Sequence, residues 1–347
     1  MRPLLFVGIV GSLAVGLAAQ TAPPPAAGTI IGTGAFTVFV ENMDRSLAFY
    51  HDVFGMDVPT IPASGTRPYN PANPRLYAMF DLPSVRERHQ SARVAGTRVA
   101  VEVMEIQDVD HKTLELRTQD PGTVTLVLHV RDLDAMLARL LQAGARTATP
   151  GGKPVKLADG TRAVLVRDLD NRVLELAQPA SVAADAQHDV VDMSLSIAVA
   201  DLTRTAHIYR DVLGFDVKAD GSFAADSGLR ALTGYSKAEV RRAHAHANGS
   251  MLDLEFVEYR GVDRKPLTMK IQDRGATRLQ LRAQNIDAMV DAVKTAGLRV
   301  LSNGAVAVPI PPNFKGALVA DPDNFFLTLF EPCDGCARFE ANRTPRE

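Results

Sequence analysis

The fold is decided by the stretch FTVFVENMDRSLAFYHDVFGMDV, residues 36–58, which recurs as LSIAVADLTRTAHIYRDVLGFDV at residues 195–217. Eight positions are identical when the two copies are placed in register. Each copy starts with strand-like alternation, continues with apolar residues at helical spacing and ends its helix at Gly55 or Gly214. We expect Asp44 and Thr203 to cap these helices. The repeat indicates a duplicated β-α-β unit.

A second repeat follows each copy of the first. Residues 123–144 read TVTLVLHVRDLDAMLARLLQAG, and residues 276–297 read ATRLQLRAQNIDAMVDAVKTAG. Each segment predicts a strand, a helix and a glycine stop, followed by a hairpin-like region that ends in DLDN at 168–171 or DPDN at 321–324. The sequence therefore predicts an α+β chain of four βαβββ-like modules, arranged as two successive pairs.

These repeats and the composition of the remaining segments predict a division of the chain. The predicted parts are a signal peptide (1–20), a Pro/Ala tether (21–30), a first domain (31–180), a polar linker (181–190), a second domain (191–331) and a C-terminal tail (332–347). The net charge is −2, there is no Trp, and no basic stripe is present, so we expect no nucleic-acid partner.

The first twenty residues are typical of a secretory signal. Arg2 precedes an apolar run at 4–17, and small residues at 18–19 suit cleavage. The run is short for a membrane span, so we expect a secreted or periplasmic protein without stable membrane insertion after cleavage. An uncleaved N-terminal anchor is the alternative. Export also favours a disulfide between Cys333 and Cys336 over a redox or zinc site.

The module ends carry a family resemblance. NMDRSLAFYHDVFGMDV and ADLTRTAHIYRDVLGFDV at module starts, with DLDNRVLEL and DPDNFFLTL at module ends, resemble the vicinal oxygen chelate superfamily. That group includes glyoxalase I, extradiol dioxygenases, methylmalonyl-CoA epimerase and bleomycin-resistance proteins. The resemblance covers about residues 30–331. It implies two tandem cup-shaped mixed-sheet domains, each built from a pair of modules around a cavity. The sequence leaves open whether the cups form within each domain or by exchange of modules.

The resemblance also implies a divalent metal held by His and Glu side chains in each cup. In this chain the positions of these ligands fall on Ala35, Glu102, Thr125 and Glu175 in the first domain and on Ser194, Glu255, Arg278 and Thr328 in the second. A guanidinium cannot ligate a cation, and neither set keeps a His. We therefore expect no usual metal site and no cofactor, with a divalent metal at Glu102 and Glu175 as the alternative.

Three histidines could supply missing ligands. His129 shares a strand face with Thr125 but lies four residues away, about 13 Å along the strand, so we expect it at the rim of a pocket or packed inside. His244 and His246 share one face of a predicted strand and form a weak metal-binding candidate without a third ligand.

The remaining charges suggest other roles. The resemblance implies that Arg278 and Glu255 face each other across one cup, either as an ion pair in place of the metal or with Arg278 holding a ligand anion. It places Glu102 and Glu175 together in the other cup. There they could share a cation, one could act as an acid or base with a raised pKa, or one could face a solvated rim.

Three hypotheses follow from these expectations. The first is an exported protein that binds a small organic molecule in a sheet cavity, with Arg278, Glu255, His129 and Thr125 lining it. The second is a metal-dependent lyase, isomerase or dioxygenase with a rearranged site at Glu102 and Glu175. The third is a structural duplicate acting in oligomerisation. Whether the protein is an enzyme stays open, because a fold does not fix a reaction.

Overall fold

The computed structural model describes residues 27–59, 65–182, 187–247, 249–250 and 252–333. The predicted signal peptide and Cys336 lie outside these ranges, so cleavage and the Cys333–Cys336 disulfide stay predictions. Within the described residues, no helix is both long and apolar enough to cross a membrane.

Module 1 and module 2 occupy the first half of the described chain. Module 1 consists of β1 (Thr29–Phe39), α1 (Met43–Phe54), α2 (Pro74–Phe80), β2 (Arg86–Arg93) and β3 (Ala100–Gln107). Module 2 consists of β4 (Val124–Val130), α3 (Leu133–Gln142), β5 (Arg146–Thr147), β6 (Val155–Lys156), β7 (Arg162–Arg167) and β8 (Val173–Gln178).

Module 3 and module 4 repeat this order. Module 3 consists of β9 (Val190–Val199), α4 (Leu202–His207), β10 (Asp216–Ala219), β11 (Ala224–Ala225), α5 (Ser227–Thr233), β12 (Glu239–His246) and β13 (Asp253–Arg260). Module 4 consists of β14 (Thr277–Gln284), α6 (Ile286–Thr295), β15 (Arg299–Val300), β16 (Val308–Ile310), β17 (Phe314–Ala320) and β18 (Phe326–Pro332). A π-helical turn over Ile208–Val212 extends α4.

The helix caps differ from the sequence prediction. Asn42 caps α1 by accepting the Arg45 N–H at 3.0 Å, and Asp201 caps α4 by accepting from Thr203 and Arg204. Each cap thus lies two residues before the predicted one, because these side chains are placed to accept the first free N–H groups of the helices.

The modules combine across the two halves of the chain. Sheet 1 joins modules 1 and 4 in the order β15-β17-β18-β14-β1-β3-β2, with β16 on β17. Sheet 2 joins modules 2 and 3 in the order β10-β12-β13-β9-β4-β8-β7-β5, with β11 on β12 and β6 on β7. The antiparallel pairs β1–β14 and β4–β9 make the two joins. The sequence left this pairing open, and the structure shows exchange.

Strand alternation separates a core face from a cavity face in both sheets. Phe36 and Val38 of β1 are buried in the main apolar cluster, which also takes Leu279 from β14 and Leu126 from β4. Thr37 lies between the two core residues and therefore points to the opposite face. That face of each sheet lines a cavity, and the polar residues of interest lie on it.

Candidate functional sites in the two sheet cavities

Arg278 lies at the centre of sheet 1. Its Cα pairs with Thr37 of β1, which pairs in turn with Glu102 of β3. The guanidinium donates to Glu102 Oε2 at 2.8 Å, to Thr37 Oγ1 at 3.0 Å and to Thr328 Oγ1 at 3.2 Å. The Arg278 side chain is only 7% exposed. Residues of β1, β3 and β18 thus hold the buried guanidinium of Arg278 in one orientation.

Glu102 is the counter-ion of this arginine. Its Oε2 atom also accepts from Thr37 Oγ1 at 2.7 Å and from Gln280 Nε2 at 3.1 Å. Burial raises the pKa of Glu102, but Arg278, His89 and the Thr37 hydroxyl outweigh it, and the net pKa lies below the usual value. The pair is therefore charged on both sides at neutral pH.

An apolar cavity of 360 Å³, called cavity 1, opens above this pair. Phe80 of α2 places its ring 4.7 Å from the Arg278 guanidinium carbon, a cation–π contact. His89 lines the same cavity, and its hydrogen bond to Glu87 raises its pKa although burial opposes the shift. The apolar walls are formed by Leu76, Met79, Phe80, Met104, Phe314, Phe330 and Pro332.

Sheet 2 has equivalent positions with different side chains. Ser196 of β9 pairs with Glu255 of β13 and with Thr125 of β4, as Thr37 pairs with Glu102 and Arg278 in sheet 1. By the same register, Glu175 of β8 holds the position next to β4 that Thr328 of β18 holds next to β14. Sheet 2 thus has two carboxylates where sheet 1 has one.

These residues line a cavity of 440 Å³, called cavity 2. Burial and the nearby Glu255 raise the pKa of Glu175 to about 7, although Arg242 opposes the shift. Glu255 accepts from Ser196 Oγ at 3.3 Å and lies 3.3 Å from Arg242 Nε. Arg242 also pairs with Asp226 at 2.8 Å, so its charge is shared between two carboxylates.

The three candidate histidines lie in different places in the structure. His129 lines cavity 2, contacts Ser194 Oγ at 3.1 Å and has a pKa lowered by burial. His244 also lines cavity 2, with its Nε2 4.0 Å from Glu255. His246 instead contacts Asp253 at 2.6 Å and is not among the lining residues of that cavity.

Two pairings expected from the resemblance are wrong. Arg278 pairs with Glu102 and not with Glu255, and Glu102 and Glu175 lie in different cavities. The physical reason is the exchange of modules, because β14 pairs with β1 and not with β9. The first-strand position is also shifted by two residues, since Thr37 and Ser196, not Ala35 and Ser194, meet the glutamates.

Five residues of the two sites were not predicted from the sequence: Thr37, Ser196, His89, Arg242 and Gln280. For the first two a signal was present: both are hydroxyl residues at the same position of the opening repeat. His89 and Arg242 also correspond, because their partners Met104 and Val257 lie two residues beyond Glu102 and Glu255. No repeated motif marks them in the sequence.

The donor sets do not fit the divalent metal that the resemblance implies. On the floor of cavity 1 the Arg278 guanidinium and the Thr37 hydroxyl already donate to Glu102 Oε2, and a guanidinium cannot ligate a cation. In cavity 2 Glu255 contacts the Ser196 hydroxyl and the Arg242 guanidinium, each at 3.3 Å. Among the residues that the structure describes, no three His, Cys, Asp or Glu side chains are grouped so as to hold a metal ion.

Sheets curled around cavities and built from repeated βαβββ modules define a glyoxalase-type scaffold. The family model for the Glyoxalase/Bleomycin resistance protein/Dioxygenase superfamily matches residues 32–176 and 191–326. The chain therefore belongs to this superfamily, and its two tandem segments are two copies of the family domain.

Solved structures show the same fold. Glyoxalase I from Zea mays is 17% identical with a TM-score of 0.53, covering 91% of this chain and 95% of that one. A variant of the same maize enzyme has a TM-score of 0.55 at 17% identity. A candidate dioxygenase from Bacillus subtilis is 12% identical with a TM-score of 0.51, over 90% and 88% of the chains. The curated proteins searched gave no match.

Proposed function

We propose that this protein binds a small, mainly apolar organic molecule in cavity 1 without a metal ion. The observation that carries the proposal is the buried Arg278–Glu102 pair, 2.8 Å apart, on the floor of an apolar cavity. Since the two charges cancel, the floor offers hydrogen bonds without a net charge. Ligand pockets commonly combine apolar walls with a few convergent polar groups of this kind.

Arg278 sets the polar specificity of the pocket. A guanidinium has five N–H donors, and the described residues accept three of them. The other two are left for a ligand, so the bound molecule should carry a hydrogen-bond acceptor such as a carbonyl or hydroxyl oxygen. The ring of Phe80 and the side chains of Met79 and Met104 would cover its apolar part.

Thermal-shift and NMR titration of the mature protein with acetophenone and with ethylbenzene test this proposal. The two probes are similar in shape, and only the ketone offers an acceptor, so acetophenone should bind more tightly. Leu76→Trp should fill the cavity and abolish binding of both probes. Leu141→Trp is the matched control, because Leu141 lies on α3 and is already 45% exposed.

Chelation separates this proposal from the metal-dependent alternative. Protein treated with EDTA should bind acetophenone as well as untreated protein does. A requirement for added divalent metal, or failure of every aromatic probe to bind, would overturn the proposal.

We also propose that the protein works outside the cytoplasm. The support is the sequence alone: Arg2, the apolar run at 4–17 and the small residues at 18–19. N-terminal sequencing of the protein recovered from the host should find a start near residue 20, whereas an intact N-terminus in the cytosolic fraction would contradict export.

A further inference from the structure

The two cavities differ in where their positive charge comes from. In cavity 1 the cation is built into the chain, because Arg278 reaches Glu102 across Thr37. The position equivalent to Arg278 in sheet 2 is Thr125, which also pairs with the first-strand hydroxyl residue. Cavity 2 therefore keeps a carboxylate, Glu255, at the position equivalent to Glu102 but has no cation at the position equivalent to Arg278.

The charges lining the cavities differ accordingly. Cavity 1 has one carboxylate, one guanidinium and His89 on its walls. Cavity 2 has one guanidinium, Arg242, against five carboxylates: Asp159, Glu175, Asp226, Asp253 and Glu255. His129 and His244 also line cavity 2, and burial lowers the pKa of His129 and so keeps that ring from adding positive charge. Carboxylates thus outnumber guanidinium groups in the lining of cavity 2, while the lining of cavity 1 has one of each.

Glu175 is the carboxylate in cavity 2 that most lacks a partner. Within the described part of the chain, no side chain forms a hydrogen bond or an ion pair with it, whereas Glu255 has Ser196 and Arg242. The Oγ1 atom of Thr118, also on the wall of cavity 2, is buried and has no hydrogen-bond partner there. A buried polar atom without a partner is costly, and a ligand in the cavity would supply one.

We infer that cavity 2 binds an organic cation, an ammonium or guanidinium group of a small molecule, held between Glu175 and Glu255 as Arg278 is held by Glu102. The cavity of 440 Å³ has room for such a group, because Thr125 is much smaller than an arginine. This site lies in the other sheet from the one proposed to bind acceptor-bearing apolar molecules, so the two proposals stand independently.

The cation would relieve a real electrostatic cost. Burial disfavours ionisation of Glu175, and the nearby carboxylate of Glu255 adds to this effect. A guanidinium between them removes the repulsion and forms charge-assisted hydrogen bonds, which are stronger than neutral ones. Arg242 does not fill this role alone, since its charge is shared between Glu255 at 3.3 Å and Asp226 at 2.8 Å.

Isothermal titration calorimetry at pH 8 with butylguanidinium, and with N-butylurea as its neutral counterpart, tests the inference on the mature chain. Butylguanidinium should bind and N-butylurea should not. Glu175→Gln should weaken butylguanidinium at least about tenfold, the effect expected from losing one charge-assisted contact. Glu115→Gln is the matched control, because Glu115 is exposed and does not line this cavity.

Thr125→Arg is a second, independent variant. It places a cation where sheet 1 has Arg278 and should therefore abolish butylguanidinium binding while acetophenone binding in cavity 1 is unchanged. Three results would overturn the inference: equal binding of N-butylurea, undiminished binding to Glu175→Gln, or stoichiometric binding of Zn²⁺ or Mn²⁺ alone by a protein that ignores butylguanidinium.

Discussion

Replacing Arg278 by Met is the most informative single change in sheet 1. The substitution removes a 7%-exposed guanidinium, three hydrogen bonds and the contact with the Phe80 ring, and it leaves Glu102 charged beneath an apolar cavity. Breaking a buried pair from one side costs about 3–5 kcal/mol. Thr37 and Gln280 still donate to Glu102, so the loss should lie near the lower end, about 3 kcal/mol.

Urea unfolding followed by circular dichroism measures this loss. Adding Glu102→Gln to Arg278→Met should recover about 1–3 kcal/mol, because it removes the unpaired charge and keeps a group that can accept from Thr37. Arg282→Met is the matched control on the same strand, is exposed, and should change stability by less than about 0.5 kcal/mol. A loss below about 1 kcal/mol for Arg278→Met, or no recovery in the double variant, would show that the buried pair does not stabilise sheet 1.

The remaining predictions concern the turns and backbone that hold the modules. Arg172→Met removes the buried guanidinium that binds the carboxylate of Asp168 at 3.0 Å and should cost about 3–5 kcal/mol in urea unfolding; an unchanged midpoint would contradict it. The equivalent turn of module 4 has Phe325 in place of Arg172. There, burial and the nearby Asp323 raise the pKa of Asp321 to about 7. The free energy of unfolding should therefore be highest below about pH 4 and should fall by up to about 4 kcal/mol as the pH rises through 7 and Asp321 ionises. Asp321→Asn should flatten this trend. Gly122→Ala should cost far more than Gly214→Ala, because only the first new Cβ meets a backbone oxygen, that of Asp323, at 2.2 Å, and equal unfolding midpoints would exclude this clash.

The fold could be predicted from the sequence because the patterns that indicate its strands and helices are local. The alternation around Thr37 and the glycine stops at Gly55 and Gly214 lie inside the repeated segments and predict strand, helix and strand in order. The match of residues 32–176 and 191–326 to the family model confirms the tandem arrangement that the repeats indicate.

The contacts between the site residues could not be predicted from the sequence, because strand pairing is non-local. β14 has the same alternation whether it pairs with β1 or β9, so the sequence could name Arg278 and Glu102 without placing them together. The shift from Ala35 to Thr37 was hidden for a related reason. A shift of two residues keeps a side chain on the same face of a strand, so alternation cannot detect it.

We propose that the Arg278–Glu102 ion pair of cavity 1 replaces the metal ion that the family resemblance implies. Elemental analysis of the mature protein, purified without chelators and dialysed against Mn²⁺, Fe²⁺, Ni²⁺ and Zn²⁺ in turn, tests it most directly. We expect metal far below one equivalent per chain in every case. A stoichiometric metal that is lost on Glu102→Gln would contradict it.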